Sequence, residues 1–342
     1  MKNTTTQVSI LVLLVLSICV ITIGCGGHDG ESDTTTLIVY SGRNERLIGP
    51  LLDRFREQTG IEVQVRYGGT SELAATLMEE GRNSPAGVFI SQDAGALGAL
   101  SRAGLLEPLA PEILDRLEPR FRSSHGDWVG LSGRARVVVY NTDRIQPDEL
   151  PQTLEEATDE RFRGRFGVAP TNASFQAHMA VYGAVNGGAA LAKLLDGIAA
   201  NEPLRYPKNS RIVEAVINGE IDWGLVNHYY LWRALAEDPA AAAENFFMPG
   251  GGVSHFLNLA GAGMPQASPA AQQLIEFMLG ENAQRYFAEE TFEYPLVEGV
   301  ALPPGLPALA ELPPQQLDYQ QVAAALDEAL AAIHKSGLLE FR

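Results

Sequence analysis

Between residues 37 and 104 the chain alternates strand, helix, strand, helix, strand. That order restricts it to a mostly parallel sheet with helices on its faces. Leu37-Ile38-Val39-Tyr40 is a short β-prone run ended by Ser41-Gly42. Asn44 can cap the next helix, where Leu47, Ile48, Leu51, Leu52 and Phe55 share a face and Gly60 ends the run. Ile61, Val63, Val65 and Tyr67 then alternate as a strand, Ser71 to Glu80 reads as a helix, and Val88-Phe89-Ile90 as a buried strand. Ala94 to Ala103 is helical and stops at Gly104.

Further on, Arg136 to Tyr140 is a strand with a sharp turn expected on either side, at Ser132-Gly133 and at Asn141-Thr142-Asp143. Phe166 to Val168 leads through Ala169-Pro170-Thr171-Asn172-Ala173-Ser174 into a helix reaching Tyr182. Ile212 to Ile217 is helical, and Ile221 to Val226 is a strand that runs into Asn227-His228-Tyr229-Tyr230. The paired tyrosines therefore stand at the carboxyl end of a strand, the edge of an open α/β sheet where ligands collect. Phe256 to Leu259, after Gly250-Gly251-Gly252, reads as a return crossing between lobes. Gln272 to Leu279, Ala283 to Ala288 and Val322 to Ile333 read as helices, with a proline-rich connector from Pro303 to Pro314.

The amino terminus reads as an export signal. Met1-Lys2 is a short positive region, and Val8 to Ile23 is apolar apart from Ser17 and Thr22. Thr22-Ile23-Gly24 ahead of Cys25 resembles a bacterial lipobox, whereas Cys19 follows the bulky Ile18. Residues 1–24 are thus expected to be a lipoprotein signal peptide, Cys25 the lipidated residue, and 25–36 a small, acidic, flexible tether. An uncleaved anchor is the alternative, because the apolar run approaches the length of a membrane span. Either route places the folded part in the periplasm or at the cell surface, held to a membrane. Once Cys19 is removed and Cys25 acylated, no thiol remains for a disulfide or a Cys-based zinc site. About 300 residues follow the tether, which favours two lobes over one core. The net charge of −17 argues against nucleic acid and against docking on anionic lipid.

Chemistry centres on Tyr229 and Tyr230. A phenolate is a hard anionic oxygen donor suited to a hard cation such as ferric iron. Thr171 to Ser174 precede a helix, and unpaired N–H groups there make a natural oxyanion site. No G-x-S-x-G elbow, H-E-x-x-H, P-loop or dinucleotide fingerprint is present, so an enzyme is not expected. His125, His178, His228 and His255 are scattered, and His228, beside the tyrosines, is read as structural.

These segments resemble the bacterial periplasmic ferric-iron-binding proteins, substrate-binding subunits of iron ABC transporters. The likeness runs from about residue 37 to 335. It rests on Val39-Tyr40-Ser41-Gly42-Arg43, Leu73 to Leu77, Gln92 to Leu97 and Ser132 to Val137. Phe175-Gln176, Lys208-Asn209-Ser210, Val226 to Tyr230 and Glu293 to Leu296 continue it. The resemblance implies a two-lobed class II periplasmic-binding-protein fold with a hinge and an interlobe cleft. It implies lobe 1 over 37–133, lobe 2 over 134–254 and a return to lobe 1 over 255–300, with the lobe of 301–342 left open. It also implies ferric iron on Tyr229 and Tyr230, a synergistic carbonate or phosphate at Asn172, Ala173, Ser174, Asn209 and Asn227, and Arg43 steadying that anion. A permease and an ATPase would be its partners, and the protein would be a monomer.

The chain departs from the family where some members place ligands. Asn44 stands where some have His, Gln92 where they have Glu, and Phe175 where others add a third Tyr. Asp93 and Glu45 are nearby acidic candidates. The same fold carrying an iron chelate or an organic or inorganic oxyanion is the alternative.

Overall fold

A computed structural model describes residues 36–250, 253–303, 305–312 and 319–340. The expected signal peptide, Cys25 and all but the end of the expected tether lie outside them. Among the described residues no helix is long and apolar enough to cross a membrane.

The opening alternation is realised as β1 (Thr36–Ser41), α1 (Glu45–Thr59), β2 (Glu62–Tyr67), α2 (Thr70–Glu80), β3 (Val88–Ser91) and α3 (Ala94–Arg102). The Asn44 side chain caps α1 by accepting from Arg46 N, and Gly60 ends it in the left-handed conformation at φ 70°. Leu51, Leu52 and Phe55 are sealed under this helix, as its apolar stripe requires. A short α4 (Pro111–Leu114) precedes β4 (Trp128–Asn141).

β4 is the longest strand and it is buried throughout. Ser132-Gly133, expected to be a turn, lies inside it, beside a register shift between Gly130 and Ser132. The glycine answers a close approach rather than a change of direction. A Cβ on Gly133 would lie 3.0 Å from Leu257 Cδ1 and 3.2 Å from Tyr294 Cβ.

The second half contains β5 (Phe166–Val168), α5 (Ala173–Asn186), α6 (Gly188–Ala200), β6 (Leu204–Arg205), α7 (Asn209–Ile217), β7 (Trp223–Asn227), α8 (Tyr229–Glu237) and β8 (Ala243–Phe246). The chain then returns through β9 (Leu257–Gly263), α9 (Pro269–Met278), α10 (Glu281–Glu289) and β10 (Tyr294–Pro295), and closes with α11 (Tyr319–Lys335). The strand order is β2-β1-β3-β9-β4-β7-β5-β6, with β8 and β10 also paired to β4. β1 to β3 are parallel, as the alternation requires, and β9 enters antiparallel between β3 and β4.

β4 joins the two halves of the sheet. Its residues up to Ala135 pair with β9, and those from Arg136 onward pair with β7. Phe256 O accepts from Arg136 N at 2.8 Å, so the outgoing and returning crossings meet where β4 changes partners. α11 packs against α5 and α6 on one side of this junction and against α3 on the other.

Candidate functional site

β7 ends at Asn227 and α8 begins at Tyr229, with His228 between them. The strand is anchored from below by Trp223, which stacks on Phe166 at 4.4 Å between centroids and meets Phe162 edge-on at 5.2 Å. Gly224 lets α7 lie directly against β7, because a Cβ there would sit 2.2 Å from Ile212 Cγ2. This close packing brings Asn209, the first residue of α7, to the end of the strand.

Tyr229 and Tyr230 converge. Their rings stack with centroids 4.4 Å apart and planes at 29°. Tyr229 is only 6 % exposed. Burial, then the charge and hydrogen bond of Tyr229, push the Tyr230 phenol well above its ordinary range, against the opposing pull of Arg233 and Asn209.

Arg136 stands beside this pair, fully buried. Its Nη1 donates to Asn209 Oδ1 and Asn227 Oδ1 at 3.2 Å each and to Ser174 Oγ at 3.4 Å, and its Nη2 to Leu225 O at 3.0 Å. Its Nε has no partner among the described residues. Every acceptor it reaches is neutral. Burial lowers its pKa to about 10, opposed by attraction to Tyr229 and Tyr230, so it remains charged at neutral pH. A buried cation without a carboxylate partner is costly, and an anion placed beside it is correspondingly favoured.

The residues expected to hold an anion assemble around this guanidinium. Asn172 caps α5, its Oδ1 accepting from Ser174 N at 3.0 Å and from Asn209 Nδ2 at 3.1 Å. Asn209 Nδ2 also donates to Ser174 Oγ at 3.2 Å. Ala173 opens α5, where its N–H has no acceptor within the helix. Asn172, Ser174, Asn209 and Asn227 thus form one cluster with Arg136.

Arg43 belongs to a different group. It forms a buried two-pronged pair with Glu293, Nη2 to Oε1 at 2.8 Å and Nη1 to Oε2 at 3.0 Å, and Nη1 also reaches Ser132 Oγ at 3.3 Å. Burial alone would raise the Glu293 carboxyl. The charge and hydrogen bonds of Arg43, with Arg134 and Ser132, outweigh it and hold the group at about 2. Arg43 still feels the field of Tyr229, but its fork is occupied by a carboxylate rather than open to an anion.

Gln92 and Asp93 line a cavity of about 340 Å³ between the halves, together with Arg134, Ser174 and Asn258. Ala96, Ala99, Ala177 and Ala180 supply its apolar wall, and Leu326 of α11 also borders it. Asp93 Oδ1 is engaged as the cap of α3, accepting from Ala96 N at 3.0 Å. Arg134 is buried, donates through Nη2 to Gln92 O, and leaves Nε without a partner among the described residues. Asn44 is exposed, with its oxygen used to cap α1, and Glu45 is an exposed first-turn residue of that helix. Phe175 is fully buried. Among the described residues no three His, Cys, Asp or Glu side chains gather as a metal cluster.

Arg136, Arg134 and Glu293 also belong to the site, although no motif in the sequence singles them out. The available signal was two arginines inside Gly133-Arg134-Ala135-Arg136-Val137-Val138-Val139, an otherwise apolar strand where a cation needs a special reason.

The model for "Bacterial extracellular solute-binding protein" matches residues 51–314. The Fe(3+)-binding periplasmic protein of Serratia marcescens is 30% identical over 86% of this chain and 89% of its own length. Iron uptake protein A1 of Synechocystis is 32% identical over 90% of this chain and 89% of its own. Among solved structures, iron-bound HitA from Pseudomonas aeruginosa superposes with a TM-score of 0.81 at 32% identity, covering 89% of this chain and 99% of that one. The Trichodesmium IdiA (FutA) structure in complex with iron and citrate gives 0.77 at 28% identity, over 88% of this chain and 99% of that one.

Proposed function

The chain belongs to the family of bacterial extracellular solute-binding proteins, and we propose that it captures ferric iron outside the cytoplasm and delivers it to an ABC transporter. It is a two-lobed α/β binding protein, similar in fold to the iron-bound structures. The observation that carries the reading is the convergence of two phenols beside a buried guanidinium that has no carboxylate partner among the described residues.

In this reading Tyr229 and Tyr230 bind iron as phenolates. An ordinary phenol pKa of about 10 means that the pair must give up about 3 units each near neutral pH, roughly 8 kcal/mol together. Burial of Tyr230 adds to that cost. Only a highly charged metal offsets it comfortably, and Arg136 contributes by favouring negative charge on both rings. A carbonate or phosphate at Asn172, Ala173, Ser174, Asn209 and Asn227 would complete the site, held by Arg136 rather than by Arg43, whose charge is met by Glu293. Asn44 and Gln92 are neutral amides, so solvent or a small chelator would take the coordination places that His and Glu fill elsewhere.

We take residues 37–133 and 255–300 as one lobe and 134–254 as the other, a division supported by the change of partner within β4. Cys25 would carry the lipid that holds the monomer to the membrane near its permease and ATPase. A second reading, an iron chelate or an oxyanion as the ligand, is favoured by the 340 Å³ cavity and the unpartnered Arg134 Nε. That space falls within the range of small-molecule sites and exceeds what a bare carbonate fills.

Metal analysis of protein purified without chelators, paired with thermal shifts, tests both. Ferric iron with carbonate should raise the melting temperature, and the anions alone should not, because ligand binding to the native state stabilises it. Stabilisation by an organic oxyanion without iron would establish the second reading instead.

A further inference from the structure

We infer that His228 is a positioning residue that ties the tyrosine pair to the junction between the lobes, and so sets how tightly iron is held. The inference rests on Tyr229 and Tyr230 as the iron ligands.

His228 is fully buried, and both ring nitrogens are engaged. Nδ1 accepts from Ala135 N at 3.0 Å, closer than Ala135 O at 3.4 Å, and Nε2 donates to Phe292 O at 2.8 Å. The donor and acceptor on the other side define a neutral ring with its proton on Nε2. No lone pair is left for a metal, so the residue cannot be a ligand in this arrangement. Its backbone is held at the same place, with His228 N donating to Ala135 O at 3.0 Å.

Both partners lie on the β9 side of the junction, across it from β7 and α8, where His228 sits. Ala135 is the last residue of β4 to pair with β9 before the strand turns to β7. Phe292 precedes β10, which pairs with β4 at Ser132 and Gly133. His228 itself ends the turn from β7 into α8. One side chain therefore connects the ligand-bearing helix, the hinge strand and the returning segment.

Phe292 gives this link a second consequence. Its φ of 57° is unusual for a bulky residue, and such conformations persist only where the surroundings hold them. The hydrogen bond from His228 to its carbonyl is one such restraint. The next residue, Glu293, donates its N–H to Phe287 O at 2.8 Å and presents its carboxylate to Arg43. His228 also packs edge-on against Tyr229, with centroids 5.8 Å apart, and against Trp232 at 5.6 Å, and lies tilted over Tyr294 at 5.1 Å. Its ring thus fixes the first phenol by packing, and the Arg43–Glu293 pair through Phe292.

The test compares His228→Phe, which keeps an aromatic body and removes both hydrogen bonds, with His228→Gln, which keeps a donor toward Phe292 O. Ferric iron is loaded with carbonate, and its release to excess chelator is followed by the visible phenolate-to-iron band. The Phe variant should release iron at least tenfold faster than wild type and show a displaced band maximum, while the Gln variant should stay within threefold. Release within twofold of wild type and an unmoved band in a folded Phe variant would overturn the inference. Should the Phe variant not fold, nitrogen NMR of the wild-type ring decides. A proton on Nε2 in both iron-free and iron-loaded protein is expected, and a proton on Nδ1 in either refutes the arrangement. Absence of any band in wild type would instead remove the iron reading itself.

Discussion

Proton release offers a quantitative handle on the paired phenols. If both tyrosines bind as phenolates, each iron captured displaces two protons, and affinity falls as pH falls. Each displaced proton contributes 1.36 kcal/mol, or a factor of about ten, for each pH unit below the phenol pKa. Burial and the neighbouring Tyr229 push the Tyr230 phenol upward, so it holds its proton in the iron-free protein at neutral and mildly acid pH. The wild-type binding constant should therefore fall about a hundredfold per pH unit, and about ten-thousandfold over two units. Tyr230→Phe removes one exchangeable proton and should reduce the slope to about tenfold per unit, whatever the loss in absolute affinity. The assay is competition against a chelator of known proton linkage between about pH 5.5 and 7.5, at constant free anion and corrected for anion protonation. A wild-type slope of one proton or fewer, or the same slope in the variant, would refute two-phenolate binding.

Glu293→Gln should destabilise the iron-free protein by about 3–5 kcal/mol in urea unfolding, because it leaves the buried Arg43 without its counter-charge. Gly224→Ala should cost about 1–3 kcal/mol in the same assay, since the added carbon would overlap Ile212 Cγ2 at 2.2 Å and force α7 off β7. Stability should also fall on acidification. His178 is held neutral, its pKa lowered from 6.5 to about 3 by burial and then by Arg136, so its contribution is complete above about pH 6.5 and is lost as pH falls toward 3. Glu293, lowered from 4.5 to about 2, adds a further loss between those values, and a melting curve that stays level from pH 7 to pH 4 would contradict this assignment.

The opening alternation was legible because strand and helix periods differ and each element carries its own stop signal, such as Gly60 and Gly104. The tyrosines at the end of β7 were legible for the same reason. Ser132-Gly133 misled because a turn and a tight strand packing use the same small residues, and only the position of Tyr294 and Leu257 distinguishes them. Arg136 was not legible as the centre of the polar cluster. Its partners Ser174, Asn209 and Asn227 come from three separate elements that β4 and β7 bring together. α6 is absent from the sequence reading although Leu191, Leu194, Leu195 and Ile198 keep a helical spacing. The placement of α11 against both halves follows from long-range packing that local periodicity does not encode.

Visible spectroscopy gives the most direct test of iron held by Tyr229 and Tyr230. On addition of ferric citrate and carbonate, the wild-type protein should develop a phenolate-to-iron charge-transfer band that saturates at one iron per chain, and the Tyr229→Phe, Tyr230→Phe double variant should stay colourless while remaining folded. A colourless wild type with carbonate or phosphate present, or an undiminished band in the double variant, would contradict the account.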